Sequence, residues 1–263
     1  MNIKDTKRLL FAFEAYAPFP SNIDLSSNIN GQKNHVTLLF FGDVSYKKIH
    51  ETIRYMPKPS FKVGLAGLST GLIQIPKRDP SLLTCNVDLL GTKQIDFYQS
   101  QIMDYYTQYG FDFKGKKFLK HITLGTSSIP DQELMGLLFP LPLYLKNLNL
   151  FEVRPGERFE SIWTYDLLPP FVEHDLGHYV IHGESFQQIF INAQIALAFK
   201  NPRFTPFIDS SYQVRNLHDG GVMLTTLINK AYRLAGVEIE KVSFSDNGSQ
   251  ANGVLVWDFF VRT

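Results

Sequence analysis

The sequence lacks three features, each of which would assign a class of protein at once. It has 263 residues but only one cysteine, so it cannot form an intrachain disulfide, and a secreted fold built on disulfides is excluded. It contains no run of about 18 apolar residues, the length that crosses a membrane. Its formal net charge is +1, so it has neither a broad basic field for nucleic acid nor an acidic tail. Its hydrophobic content of 44% is ordinary for a globular protein and suffices for a sizeable core.

The first residues, MNIKDTKRLLFAFEAYAPFP, place an apolar run after basic residues, as a signal peptide does. Glu14 interrupts that run and no small-residue cleavage site follows it, so we expect a first strand here. The lone Cys85 lies in the apolar segment LLTCNVDLL, which favours a buried structural thiol over a nucleophile. A cytoplasmic protein without membrane contact is therefore the expectation.

Apolar residues recur with two different periods in the first part of the chain, one typical of strands and one typical of helices. Helices are predicted over 45–56, where Ser45 supplies a cap, and over 92–109, where Thr92 supplies one and Gly110 follows. The predicted strands cover 8–15, 35–41, 61–68, 71–75, 82–89, 118–125, 141–153 and 161–168.

A boundary is predicted at Pro169-Pro170, where an excess of basic residues before the prolines gives way to an excess of acidic residues after them. Two units follow from this, 1–168 and 169–263. The second is either a separate α+β domain or an extension packed on the first. Within it we predict strands over 172–183, 238–245 and 253–261, and helices over 184–199 and 219–235.

One short motif, His-x-Thr, occurs twice in the first unit. His35 and Thr37 stand in one apolar strand, and His121 and Thr123 stand in another. Residues i and i+2 of a strand share a face, so each motif presents an imidazole beside a hydroxyl. One such motif is usually incidental. Two copies in apolar strands are much harder to ascribe to chance, and adjacent strands would gather all four groups into one groove.

These four groups suit the cleavage of a phosphodiester. In-line cleavage needs a base for the attacking oxygen and an acid for the leaving oxygen. Histidine titrates near neutral pH, so one neutral and one protonated imidazole can coexist. Threonine hydroxyls can donate hydrogen bonds to the non-bridging oxygens, where charge accumulates in the transition state. Such a site requires no metal ion.

The residues around these motifs resemble a known family. HVTLLFFGDV (35–44) and FLKHITLGTS (118–127) are similar to the two motifs of the 2H phosphoesterases, which include RNA 2′,3′-cyclic phosphodiesterases and 2′-5′ RNA ligases. KRLLFAFEA resembles the family's opening strand, the helix ending in Tyr-Gly-Phe (109–111) its central helix, and ERFESIWTYDL (157–167) its closing strand. The resemblance spans about 160 residues.

That resemblance implies a fold and a set of roles. The fold would be α+β, a bilobal pseudo-symmetric barrel with one motif in each lobe. His35 and His121 would be the catalytic acid and base, and Thr37 and Thr123 would bind the phosphate. The chain departs from the family just after the second motif, where Gly125-Thr126 replaces the basic residue or Ala-Arg of many members.

Three basic residues could compensate for that departure. Lys33, Lys120 and Arg78 are the candidates for phosphate contact, although each is more simply read as a solvated surface charge.

Three histidines follow the proline boundary. His174, His178 and His182 recur at four-residue steps, and on one extended strand each would stand about 13 Å from the next. That separation is too long for a single metal ion, which favours a polar or pH-sensitive face.

The same C-terminal segment also resembles archease, a small metal-binding activator of the tRNA-splicing RNA ligase. The resemblance lies in EHDLGHYVIHGESFQQIFINAQIALAF and in the final LVWDFFV (255–261). It implies that Asp175 and Asp258 ligate a divalent metal and that an RNA ligase is a partner. Val172 stands where that family has a histidine, which departs from its pattern.

Three functions remain open at this point. The first is a metal-independent phosphodiesterase that opens 2′,3′-cyclic phosphate RNA ends to a 2′-phosphate, with 2′-5′ ligation by the same pair. The second is the same chemistry on 2′-5′ oligoadenylates or small cyclic phosphates, which the near-neutral charge leaves open. The third is a non-catalytic accessory protein that holds an RNA end for a ligase.

Overall fold

The computed structural model describes residues 5–20, 34–74, 83–90, 92–113, 117–125, 129–155, 158–201, 204–206, 222, 226, 241–244 and 249–262. Its strands are β1 (Thr6–Tyr16), β2 (His35–Ser45), β3 (Leu65–Ser69), β4 (Leu72–Gln74), β5 (Leu83–Asn86), β6 (Asp88–Leu89), β7 (His121–Gly125), β8 (Leu141–Arg154), β9 (Arg158–Tyr165), β10 (Phe171–Glu173), β11 (His178–Gly183), β12 (Lys241–Phe244), β13 (Ser249–Ala251) and β14 (Val254–Arg262). Its helices are α1 (Tyr46–Ile53), α2 (Gln94–Gln108), α3 (Asp131–Leu138) and α4 (Phe186–Lys200).

The strands form three antiparallel sheets. A six-stranded sheet has the order β2-β1-β8-β3-β6, with β9 paired to the second half of β8. A three-stranded sheet has the order β4-β5-β7, and a five-stranded sheet has the order β10-β11-β14-β12, with β13 paired to β14. The largest sheet curls into a half-barrel, and the prediction of a mixed α and β fold is confirmed. The bilobal pseudo-symmetric barrel with one motif in each lobe stays a prediction.

The curl of the six-stranded sheet has a visible cause in its ladders. The register shifts twice between β1 and β2 and once between β1 and β8, the last between Phe13 and Ala15. Each such bulge bends the strand and increases its local twist. The shifts lie on β1, which pairs with β2 on one side and with β8 on the other, so a bend there affects both neighbours.

One core lies between the two N-terminal sheets and the helices that cover them. It joins residues of β1 and β8 to residues of β5 and β7, and Ile49 of α1 and Ile102 of α2 pack into it from outside. Helix α1 begins where the sequence predicts, because the Ser45 side chain accepts a hydrogen bond from the backbone N–H of Lys48. Cys85 belongs to this core and is fully buried, as predicted.

The C-terminal unit packs on the other face of the six-stranded sheet. Ile191 and Ile195 of α4 contact Ala66 and Leu68 of β3, while the opposite side of α4 covers the five-stranded sheet. Ile195 is fully buried, and such burial of an isoleucine contributes roughly 1.5–3 kcal/mol. A helix buried on both sides explains why 186–200 shows almost no polar face.

Several sequence predictions were wrong in detail. The predicted strand 82–89 is broken into β5 and β6, and α3 was not predicted at all. Thr92 is not the cap of α2. It lies one residue before the Lys93 cap, although its hydroxyl accepts a hydrogen bond from the backbone of Gln94.

The predicted strand 172–183 was also wrong, because it is a hairpin of β10 and β11. A 3-10 turn over 175–177 ends at Gly177, whose φ of 72° is a conformation that favours glycine. Apart from Val222 and Thr226, the predicted helix 219–235 lies outside the described residues, as does half of the predicted strand 238–245, whose described half forms β12. No helix among the residues described is long and apolar enough to cross a membrane.

Candidate active site

The two His-x-Thr motifs lie on neighbouring edge strands. Strand β2 is the edge of the six-stranded sheet, and β7 is the edge of the three-stranded sheet. The Cα atoms of these two strands approach within 8 Å of each other. The fold therefore brings together two segments that are 86 positions apart in the sequence.

Alternation places the four motif residues on one side of these strands. Val36 and Leu38 of β2 lie in the main core, as do Ile122 and Leu124 of β7. Because both strands turn their apolar residues toward one core, their His and Thr side chains lie on the side away from it. These side chains are all half-buried. We call this surface, which carries His35, Thr37, His121 and Thr123, the histidine face.

His35 is held against aromatic rings of the six-stranded sheet. Its ring centroid lies 4.6 Å from that of Phe159 and 5.8 Å from that of Phe151. Directly opposite it on β1 is Glu14, a carboxylate whose residue is only 3% exposed. These neighbours restrict the imidazole, which a proton-transfer group requires.

His121 is oriented by its own backbone. Its Nδ1 lies 2.9 Å from the carbonyl oxygen of Leu119. A carbonyl oxygen only accepts, so Nδ1 carries a proton and donates it. The neutral ring then has its lone pair on Nε2, which is the nitrogen left for proton transfer.

Asn86 supports His121 from the neighbouring strand, where the two residues are directly opposite. Its Oδ1 accepts hydrogen bonds from the Ser69 hydroxyl and from the backbone N–H groups of Thr70 and Gly71, at 2.9–3.0 Å. One amide therefore ties the β3–β4 turn to the strand beside His121. Asn86 was not predicted as a site residue, because nothing local to NVDLL reveals its partner strand.

Asn149 plays a comparable part in the six-stranded sheet. It is almost fully buried and lies opposite Ala12, which in turn lies opposite Thr37. Its Oδ1 accepts hydrogen bonds of 2.7 Å from both Ser161 and Thr164. This residue too was missed, since its hydrogen-bond partners belong to the next strand.

Of the residues considered for additional phosphate contacts, the structure describes Lys120 and Gly125. The Lys120 ammonium donates to both carboxylate oxygens of Asp96, at 2.8 and 3.0 Å, so it pairs with α2. Gly125 has a φ of 91°, a conformation that suits glycine and disfavours a larger side chain. Lys33, Arg78 and Thr126 lie outside the described residues.

The predicted metal ligands of the C-terminal unit lie apart from the histidine face, Asp258 on β14 of the five-stranded sheet and Asp175 on the 3-10 turn before β11. Asp258 Oδ1 lies 2.8 Å from Nε2 of His178, whose ring stacks on that of His174 at 5.1 Å. Asp175 is exposed on the 3-10 turn, which contacts β14. Within the described part of the chain, no three His, Cys, Asp or Glu side chains are grouped to hold a metal ion. A metal bound by Asp175 and Asp258 stays a prediction.

His182 does not join this group. Its Nδ1 donates to the carbonyl oxygen of Pro169 at 2.8 Å, which ties β11 to the proline boundary. The three histidines thus do not share one extended face, because the turn before His178 separates His174 from the strand.

No family model and no curated protein matches the sequence. Among solved structures, the chain is similar to Escherichia coli LigT complexed with 3′-AMP, with a TM-score of 0.43 and 15% identity over 62% of this chain and 98% of that one. A phosphoesterase has a TM-score of 0.43 and 16% identity over 62% and 98% of the two chains. The protein TT0787 of Thermus thermophilus has a TM-score of 0.41 and 14% identity over 64% and 100%.

Proposed function

We propose that this chain is a metal-independent phosphodiesterase that opens 2′,3′-cyclic phosphate ends of RNA to a 2′-phosphate. The observation that carries the proposal is the histidine face. Two imidazoles and two hydroxyls stand on adjacent edge strands, and the residues that alternate with them along each strand pack in one core. Paired in this way, the imidazoles supply both proton transfers that the reaction needs.

In the proposed reaction, one neutral imidazole takes a proton from water as the water oxygen bonds to phosphorus. The bond from phosphorus to the 3′-oxygen breaks, and the second imidazole, protonated, gives its proton to that oxygen. The products are a 2′-phosphate and a 3′-hydroxyl. His121 would act through Nε2, because its Nδ1 proton is engaged by the Leu119 carbonyl.

Thr37 and Thr123 would donate hydrogen bonds to the two non-bridging oxygens. Both lie one strand repeat beyond a histidine on the same face, so a phosphate between the imidazoles would reach their hydroxyls. Donors on strands are held in place before the reaction begins, so little reorganisation is required as charge develops.

Ligation is the same chemistry with another nucleophile. A 5′-hydroxyl in place of water, with the 3′-oxygen leaving as before, would give a 2′-5′ linkage, but water is present at about 55 M and the second RNA end must be bound to compete. We therefore propose hydrolysis as the main reaction and ligation as a side reaction at high RNA concentration.

The test is turnover of a 2′,3′-cyclic-phosphate dinucleotide in excess EDTA, followed by ³¹P NMR. The proposal expects a 2′-phosphate as the product, with undiminished rate in the chelator. A Thr107→Val variant, altered on the exposed side of α2, is the matched control and should behave as wild type. No turnover, loss of turnover in EDTA, or a 3′-phosphate product would each contradict the proposal.

A further inference from the structure

A cavity of about 400 Å³ lies beside the histidine face, where the half-barrel meets α4. Its walls come from the end of β1, from Tyr144 of β8, from Phe199 of α4 and from Asn34, the residue just before His35. The volume is typical of sites that bind small molecules. The cavity is thus built jointly by the N-terminal unit and by the first helix of the C-terminal unit.

The cavity begins one strand away from His35. Glu14 lines the cavity and is directly opposite His35 in the ladder that joins β1 to β2. Neighbouring strands of a sheet are about 4.8 Å apart. Asn34 lines the cavity as well and is adjacent to His35 in the chain. A group attached to a phosphate at the histidine face would therefore extend into this cavity without crossing a further strand.

Three of the side chains that line the cavity are aromatic. The rings of Tyr16 and Tyr144 stack at 5.0 Å with an interplanar angle of 9°, and the Phe199 ring lies 5.5 Å from that of Tyr144. Because Tyr144 covers one face of the Tyr16 ring while Tyr16 remains 37% exposed, the ring offers surface to a further planar group. Aromatic side chains presented in this way bind nucleobases by stacking.

The Tyr16 ring is held in place before any ligand binds. Its hydroxyl donates a hydrogen bond of 2.8 Å to Oε2 of Glu14. Burial and the Glu14 carboxylate raise the pKa of Tyr16 well above its usual value, so the hydroxyl keeps its proton and remains the donor. Glu14 is only 3% exposed, so its role here is to fix the ring and not to contact a ligand. A ring that is already fixed loses little freedom on binding, which favours affinity.

We infer that this cavity is a stacking site for the nucleobase of the nucleotide whose phosphate occupies the histidine face. Stacking of this kind tolerates all four bases, because every base has an aromatic face. The site selects by chemical class instead, since a cyclic phosphate without a base would leave the cavity unfilled and would bind more weakly. The C-terminal unit gains a role in binding, because α4 contributes Phe199 to the wall.

The inference rests on the proposed function, because the phosphate at the histidine face anchors the nucleotide. It deepens that function by naming the substrate class. Among the small cyclic phosphates that the sequence leaves open, it favours those that carry a nucleobase. It also assigns a binding residue, Tyr16, that the sequence analysis did not select and that takes no part in proton transfer.

The experiment measures the affinities of adenosine 2′-monophosphate and of inorganic phosphate by titration followed by ³¹P NMR. Tyr16→Ala removes the stacking ring, so it should weaken the nucleotide by about fivefold to a hundredfold and leave inorganic phosphate unchanged. Tyr16→Phe keeps the ring and should recover most of the affinity. Tyr55→Ala is the matched control and should behave as wild type, because it makes the same change at an exposed tyrosine that does not line the cavity.

Two further variants address the wall that α4 contributes. Phe199→Leu removes an aromatic ring from the cavity and should weaken adenosine 2′-monophosphate by about twofold to tenfold. Phe171→Leu is its matched control, since Phe171 contacts Tyr144 and Phe199 without lining the cavity, and it should leave the affinity unchanged. Uridine 2′-monophosphate should bind wild type within about tenfold of the adenosine nucleotide, because stacking is tolerant of the base.

An unchanged nucleotide affinity in a folded Tyr16→Ala protein would overturn the inference. An equal loss of affinity for inorganic phosphate would do the same, because the variant would then have disturbed the histidine face. A larger difference between the two nucleotides would contradict recognition by stacking.

The same titrations separate this inference from the proposed function. Nucleotide binding that depends on Tyr16, in a wild-type protein that does not turn over a 2′,3′-cyclic nucleotide, would contradict the function and leave the base site. Turnover together with an unchanged nucleotide affinity in Tyr16→Ala would contradict the base site and leave the function.

Discussion

The two threonines of the histidine face offer the sharpest test of how the phosphate is held. Replacing Thr37 or Thr123 by valine removes one hydroxyl and keeps a β-branched side chain of similar shape. Both residues are half-buried on strands whose alternate residues are locked in the main core, so strand register should persist. We expect the free energy of unfolding to change by less than about 1 kcal/mol.

The expected loss of activity is much larger than the loss of stability. Each variant would lose one hydrogen bond to a non-bridging phosphate oxygen, on which charge accumulates in the transition state. Removing one such donor costs about 2.7–4 kcal/mol, or about 10²–10³ in kcat. The effect should fall on kcat more than on KM, because the bond strengthens as the transition state forms.

The assay is single-turnover kinetics of a 2′,3′-cyclic nucleotide, with Tm measured for each variant alongside. Thr107→Val on α2 is the control for the same chemical change away from the histidine face. The reasoning is refuted if either threonine variant keeps its Tm and also keeps kcat within about threefold of wild type. The hydroxyl would then make no hydrogen bond that stabilises the transition state.

Three further predictions concern residues around the face. Burial raises the pKa of Cys85 from 9.0 to about 11, so the thiol ionises in the unfolded chain before it ionises in the folded protein. As pH rises from 9 to 11, wild type should therefore lose about 2 kcal/mol more of its free energy of unfolding than Cys85→Ala, as measured by urea titration. Equal losses would contradict this. Asn86→Ala should cost about 1–3 kcal/mol in chemical denaturation, because the buried Ser69 hydroxyl loses its acceptor. Asn86→Asp, which keeps that oxygen, should recover most of it, and failure to recover would count against the role given to Asn86. Lys120→Ala should leave kcat/KM unchanged and lower stability by less than about 1 kcal/mol, since its ammonium pairs with Asp96; a large rise in KM would assign Lys120 to phosphate binding.

The sequence sufficed for features that depend on local periodicity. Side chains alternate along a strand with a period of two residues. The short motifs around His35 and His121 therefore sufficed to predict that each histidine shares a strand face with its threonine. The start of α1 was predictable for a similar reason, because the Ser45 cap acts on residues within one turn.

Features that depend on register between distant segments were not predictable. Asn86 meets His121 only through the pairing of β5 with β7, and Glu14 becomes a cavity wall only after α4 packs on the half-barrel. Gly177 indicates the turn before His178, but the alternation of apolar residues on either side of it favoured a single continuous strand. Sequence alone could not show how far the C-terminal unit reaches toward the histidine face.

The pairing of His35 with His121 is the central claim, and a double-mutant cycle in kcat/KM tests it most directly. His35→Ala and His121→Ala are compared singly and together on a 2′,3′-cyclic-phosphate end. A pair that acts as one acid–base unit predicts a large loss for each single variant and little further loss in the double variant. Wild-type activity in the double variant, or losses that simply multiply, would contradict the pairing.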